Sequence, residues 1–302
     1  MSLSNGASSI DFSVWQRFMI LVQLTDLHLR PPGMAANRNA ETNALTERAL
    51  RAVRNLPKAP DVIVISGDLT DCGLAAEYAV LTDLLRRLTK VPVLLIPGNH
   101  DRRDVMRTQM RHMPGVNDDP QFVQYTIETF ALRLVMLDTV VPGAHYGELC
   151  TARLEWLQTA LASQPHRPTV VVMHHPPFDS GMRHMDSTNL RNSDAFAGVI
   201  ARNRQVQRIL CGHLHRPVIA PVAHAIASSA PSVAHQVELD LWSDDPETWN
   251  LEPAAFQMLL YNEGSPMVTH TAFVESFPGP FPFLCEPRQS ELAEGKPTST
   301  TI

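Results

Sequence analysis

Short apolar runs recur along the chain, and most end in a small polar cluster. Residues 18–24, 62–65, 91–96, 132–137, 169–173 and 206–210 are dominated by Val, Ile and Leu. A nearly continuous run of this length fits a strand covered on both faces, because a half-exposed strand would alternate. Between the runs, Leu45, Ala49, Val53 and Leu56 repeat at helical spacing. So do Leu74, Tyr78, Leu81, Leu85 and Leu88, and Leu154, Leu157 and Leu161, with Thr151 placed to cap the third helix. Strands alternating with helices imply α/β layering. Residues 124–128 and 132–137 read as a hairpin closing through 129–131. After Arg216 the pattern changes: 218–222, 235–241, 255–261 and 268–274 read as strands without long helices between them. The expected organisation is an N-terminal arm over 1–16, a core over 17–241, a C-terminal extension with added strands over 242–284, and a disordered tail over 285–302.

Composition narrows the class. A chain of 302 residues can bury one large core or a core with an appendage, and 44% apolar with 19% charged residues is ordinary for a soluble globular protein. No apolar stretch reaches the ~18 residues of a membrane helix, and the early apolar run lacks the flanks of a secretory signal, so a cytoplasmic protein without a membrane partner is expected. The net charge of −6 argues against a nucleic-acid polymer as partner. It does not argue against a phosphate ester, since bound divalent cations make one site locally positive. Cys72, Cys150, Cys211 and Cys285 lie far apart, with no CxxC pair, and read as lone buried thiols rather than a zinc ribbon or redox motif.

The chemistry sits where the apolar runs stop. Residues 21–24 lead into Thr25-Asp26-Leu27-His28, and 62–65 into Ser66-Gly67-Asp68-Leu69-Thr70-Asp71. Residues 93–96 lead into Pro97-Gly98-Asn99-His100-Asp101, 170–173 into His174-His175-Pro176-Pro177, and 208–210 into Cys211-Gly212-His213-Leu214-His215. Ligands in layered α/β folds gather beyond the carboxyl ends of strands, so these clusters can converge. Carboxylate, imidazole and amide oxygen are donors for divalent metals, and the absence of thiolate suits Mn, Fe, Co or Zn. In Asp26-x-His28 and His213-x-His215 alternate residues of an extended segment face the same way, so each pair can grip one ion or straddle two. Asp68 has two oxygens and can bridge.

This ordered set, DxH, GDxxD, GNHD, a lone His and GHxH, resembles the calcineurin-like metallophosphoesterase superfamily over residues 22–215. Residues 67–73 with Glu77-Tyr78 resemble its bacterial cyclic-nucleotide phosphodiesterase branch. Residues 212–217, 234–237 and 250–254 look most like the glycerophosphodiesterases within that branch. The resemblance implies a four-layer α-β-β-α sandwich of two mixed sheets. It implies two divalent metal ions, with Asp26, His28 and His215 on the first, Asn99, His174 and His213 on the second, and Asp68 between them. It implies hydrolysis of small phosphodiesters by a metal-bridging hydroxide, with Asn99, His100 and His215 contacting substrate and His100 as the catalytic proton donor. It also implies a homo-oligomer. A phosphomonoesterase or protein phosphatase of the same fold is the enzymatic alternative, and a scaffold without activity the non-enzymatic one.

Some residues have a plainer reading. Asp71 is as good a helix cap as a metal-site partner. His175 competes with His174 and reads as structural. Asp101 could orient the His100 ring. His112, His145, His166, His184, His224, His235 and His270 have no ligand spacing and read as surface or loop residues; Met182 and Met185 could wall the entrance or simply pack. Trp242, Trp249 and Phe256 read either as exposed aromatics suited to a subunit contact or as cover for their own core.

Overall fold

The structure is a computed structural model that describes residues 18–243 and 248–281. The expected arm over 1–16, the tail over 285–302 and Cys285 lie outside the described residues.

The apolar runs become strands that are buried at every residue: β1 (Met19–Leu24), β2 (Val62–Ser66) and β3 (Val93–Ile96) in one sheet, β5 (Arg133–Met136) and β6 (Thr169–Val172) in another. β1, β2 and β3 are parallel neighbours, joined by α1 (Thr42–Arg54) and α2 (Ala75–Leu88). The second sheet runs from β4 (Tyr125–Ile127) through β5, β6 and β7 (Val206–Cys211) to β9 (Ala225–Ser229) and β8 (Val218–Val222). β4 and β5 form the expected antiparallel hairpin; β5, β6, β7 and β9 are parallel. α3 (Arg103–Gln109) precedes the hairpin, and α4 (Thr151–Ala162), α5 (Arg183–Asp186) and α6 (Ser193–Arg202) fill the connections from β5 to β6 and from β6 to β7.

Alternation along the strands of the second sheet builds the layers. Leu134, Met136, Val170, Val172 and Leu210 pack in one core with Leu21, Val64 and Leu95 of the first sheet. Their neighbours Val135, Val171, Ile209 and Cys211 pack in another with Leu157, Leu161, Phe196 and Ile200 from α4 and α6. Successive strand residues point to opposite faces, so the sheets stack against each other with helices outside. The expected four-layer sandwich is present.

The helical stripes shift slightly from expectation. α1 buries Thr46, Ala49, Leu50 and Val53, leaving Leu45 and Leu56 half-buried. α2 buries Tyr78, Leu81, Leu85 and Leu88, but Leu74 is its exposed N-cap. Thr151 does not cap α4: it is the first helical residue, behind Cys150. The segment 235–241 forms only the two-residue β10 (Gln236–Val237), paired with β11 (Trp249–Asn250). The Asp240 carboxylate accepts hydrogen bonds from the backbone of Trp242 and Ser243, and that turn ends the strand.

After β11 the chain returns to the first sheet. β12 (Ala255–Tyr261) lies antiparallel to β1, and β13 (Val268–Phe273) forms the edge beyond it. Phe256 is therefore in the inter-sheet core at 1% exposure, so of its two readings it covers its own core and does not serve a subunit contact. Cys211 is the one buried thiol among the described residues; Cys72 is exposed and Cys150 half-buried.

Candidate metal centre

All five polar loops leave the carboxyl ends of β1, β2, β3, β6 and β7, side by side across the two sheets. The parallel ladder of β1 and β2 continues into their loops: Asp26 N–H donates to Gly67 O (3.1 Å) and His28 N–H to Asp68 O (3.0 Å). Continuing that ladder while turning ligands inward needs unusual backbone. Asp26, His28, Asp68, His213 and His215 all have positive φ, between 45° and 70°. A left-handed conformation is costly for residues other than glycine, and such outliers cluster at functional sites. Gly98 is required for a different reason: a Cβ there would collide with the Asp68 carboxylate and backbone nitrogen.

Asp101 ties the second and third loops together. Its Oδ2 accepts from Leu69 N (3.0 Å) and Gly98 N (2.9 Å); its Oδ1 accepts from Thr70 N (3.2 Å), Thr70 Oγ1 (2.8 Å) and Tyr78 OH (2.8 Å). It does not orient His100, as the sequence suggested. That ring is held by Asp71, whose backbone oxygen accepts from His100 Nδ1 at 2.8 Å. Asp71 also pairs with His28 Nδ1 (3.3 Å) and Arg30 Nη1 (3.0 Å) and caps nothing; before α2 the N–H groups of Cys72 and Leu74 go to Glu77 and that of Gly73 to Thr70 Oγ1.

The seven expected ligands meet in one ring. His28 Nε2 lies 3.1 Å from His215 Nε2 and 3.6 Å from Asp68 Oδ2; His215 Nε2 is 3.5 Å from Asp26 Oδ1. His174 Nε2 is 3.4 Å from the same Asp68 Oδ2 and 3.1 Å from Asn99 Oδ1, which also faces His213 Nδ1 at 3.0 Å. Asp68 Oδ1 accepts from His100 N at 2.9 Å, leaving Oδ2 between the two groups.

Outer partners set which nitrogen of each imidazole carries hydrogen. Nδ1–H donates to Asp71 Oδ1 from His28, to Ser66 O from His174 (2.8 Å) and to His235 O from His215 (2.7 Å). His213 runs the other way round. Thr188 Oγ1 spends its hydrogen on Met185 O (2.8 Å), so it must accept from His213 Nε2–H (3.0 Å), and Nδ1 turns inward bare. Every inward atom is then a lone-pair donor facing another lone-pair donor. Such a set is repulsive until protons or metal cations enter it, and it is the arrangement that metal-binding histidines adopt. The residues fit divalent metals. His175 does not join: its Nε2 donates to His145 O (3.1 Å) and its Nδ1 accepts from Thr139 Oγ1 (2.7 Å).

Electrostatics agree. Burial, with the neighbouring His28, lowers His215 to about 3, so it is neutral at cellular pH; burial likewise holds His213 and His175 well below their usual range. Burial opposes the charge on Asp68, but His174, His100 and His28 around it prevail and hold its carboxyl well below the ordinary carboxylate value. His174 is pushed up to about 9, where the Asp68 charge outweighs burial, and burial raises Asp26 to about 6. Without metal, protons at His174 and Asp26 occupy places that a cation would take.

Several residues around the ring gave no ligand spacing. His235, expected at the surface, is buried against His28 and His215, with ring centroids 5.0 and 4.7 Å away. It serves through its main-chain oxygen, which no motif announces. A cavity of about 500 Å³ opens over the ring and is also lined by Asn37, His145, Met185, Thr188, Val237 and Trp249. Met185 both walls this cavity and packs with Met182. His184 is half-buried.

A family model described as calcineurin-like phosphoesterase matches residues 19–217. The chain belongs to the calcineurin-like phosphoesterases. Among the relatives of this phosphoesterase is a probable glycerophosphodiester phosphodiesterase GpdQ of Arcobacter nitrofigilis, 32% identical over 89% of this chain and 98% of its own. A probable cyclic nucleotide phosphodiesterase of Rhodopseudomonas palustris is 36% identical over 78% and 85%. In fold it is similar to a dimetal phosphatase from Danio rerio, with TM-score 0.62 at 14% identity over 85% of this chain and 96% of that one. A purple acid phosphatase from yellow lupin superposes with TM-score 0.67 at 13% identity, over 85% and 52%.

Proposed function

We propose that this phosphoesterase hydrolyses small phosphodiesters, cyclic nucleotides or glycerophosphodiesters, with two divalent cations. Asp26, His28 and His215 would hold the first, Asn99, His174 and His213 the second, and Asp68 both. The observation that carries this reading is the ring of inward lone pairs with its outer hydrogens already committed. When bound, such ions acidify water and neutralise charge on phosphoryl oxygens. The oxygen and nitrogen donors suit Mn, Fe, Co or Zn.

The chain's own groups complete the site. His100 commits Nδ1–H to Asp71 O, which leaves Nε2 for the cavity. Protonated, that nitrogen donates to a phosphoryl oxygen and passes its proton to the departing alkoxide. Asn99 offers amide hydrogens and His215 a ring edge to the same phosphoryl group. A diester needs room on both sides of phosphorus, and this supports it over a monoester: a second cavity of about 950 Å³ shares Asp71, Asn99 and His100 with the first.

The names of the relatives support the diesterase reading, and among the described residues no helix is long and apolar enough to cross a membrane. Self-association through the exposed edge of β13, with Val268 and Phe273 uncovered, would give the expected homo-oligomer.

The test combines metal analysis with turnover. The loaded protein should carry two ions per chain and cleave bis(4-nitrophenyl) phosphate faster than the corresponding monoester. His100→Ala should keep both ions and lose about 10²–10⁴-fold in kcat. Full turnover by that variant would remove His100 from the chemistry, and a metal-free active protein would end the reading.

A further inference from the structure

The two cavities that meet at His100 differ in their walls. The one over the ligand ring includes Met185, Val237 and Trp249 in its wall. The other is lined by Arg102, Arg103, Asp104, Arg107 and Gln121 and has no Phe, Tyr or Trp. Arg103 is committed to Asp138, bound through both Nε (2.7 Å) and Nη2 (3.0 Å). Arg102 pairs only with Asp104 at the surface, a contact of the kind that exchanges readily with solvent or a polar ligand.

Trp249 is the indole of the first cavity. It stands on β11, whose pairing with β10 fixes it beside the ligand loop, and its ring meets His235 at 5.4 Å and 71° between planes. It is half-buried and lines the cavity. The flat π-face of an indole attracts another π-face, whereas a polyol, which needs several hydrogen-bond partners, finds only the single N–H donor there.

We propose that Trp249 is a specificity-determining residue: it stacks on a flat aromatic ester substituent, such as a nucleobase, while the second, polar substituent lies in the arginine-lined cavity. This rests on the diesterase reading for its place in catalysis, but not for binding. The competing role for Trp249 is to brace His235, whose carbonyl orients His215. Loss of a brace would weaken metal binding and slow every substrate alike.

The experiment uses the full chain loaded with Mn²⁺, as wild type, Trp249→Ala and Trp249→Phe. Calorimetry gives the Kd of adenosine 5′-monophosphate and of glycerol 3-phosphate, and metal content is measured alongside. Trp249→Ala should weaken the nucleotide about 5- to 100-fold and glycerol phosphate less than about twofold, with Trp249→Phe recovering most of the loss. KM for a diester with aromatic substituents should rise by a similar factor at nearly constant kcat, and KM for glycerophosphoethanolamine should not. Equal losses for both ligands, or none for either, would overturn the proposal. If the wild type turns over no diester, the diesterase reading fails, and the two Kd values still decide the role of Trp249.

Discussion

Replacing Asp101 by Asn tests whether the metal ring depends on a support that touches neither metal nor substrate. The carboxylate accepts five hydrogen bonds from two loops and Tyr78. An amide must turn its NH2 towards one side. Facing Leu69 and Gly98 it would orphan two backbone N–H groups. Facing Thr70 and Tyr78 it orphans one, since the two hydroxyls can rotate to accept. The cheaper choice leaves one buried N–H unpaired, about 1–3 kcal/mol, and weakens the remaining bonds from charged to neutral, about 1 kcal/mol each. Burial raises the pKa of Asp101, so removing the charge returns part of that cost. The balance is about 2–4 kcal/mol, or a fall in Tm of roughly 3–6 °C for a chain of this size. Tyr78→Phe removes one bond and should cost about 1–2 kcal/mol. Melting curves for the metal-free variants give the stability term. Metal titration gives the functional one, because the two loops carry Asp68 and Asn99, and Asp101→Asn should weaken metal binding as well. A variant that melts within about 1 °C of the wild type with unchanged metal affinity would refute the argument.

Metal uptake should release protons. In the metal-free fold His174 keeps its proton to about pH 9, against 6.5 for a free imidazole. This group's contribution to metal-free stability is therefore full below about pH 6.5 and is lost as pH rises through 9. A cation must expel that proton, so affinity should climb up to about tenfold per pH unit over the same window. Calorimetry at pH 7.5 in buffers of different ionisation enthalpy should count about one proton released, and none would contradict the assignment of His174. Thr188→Val removes the acceptor that fixes His213 and should lower metal affinity about 10- to 100-fold with little change in Tm. Unchanged affinity would mean that His213 does not bind through Nδ1.

How much was legible in the sequence depended on how each residue acts. Asp26, His28, Asp68, Asn99, His174, His213 and His215 announced themselves because each ends an apolar run, and the structure brings all seven together. Residues acting through main chain or distant contacts gave no such sign. His235 supplies a carbonyl, and Thr188 reaches His213 across 25 positions. Asp101 sits next to His100 in the chain but turns away into a knot of backbone donors, so adjacency misled. Phe256 and Trp249 lie in the segment 242–284, which the sequence presents as an extension beyond the core, and there the subunit-contact reading of these aromatics does not hold. The run Ala255–Tyr261 is apolar at every position but Gln257, which fits a strand covered on both faces, and that is the signal that places Phe256 inside.

Two of the four imidazoles proposed as ligands, His174 and His215, are held by peptide oxygens of Ser66 and His235. A carbonyl is supplied by any amino acid, so mutation at positions 66 and 235 can alter bulk and polarity without deleting the acceptor. The oxygen on Asp71 and the hydroxyl of Thr188 have no such insurance. Drift in this protein should accordingly be tolerated unevenly, with the two side-chain anchors far more brittle than the two main-chain ones.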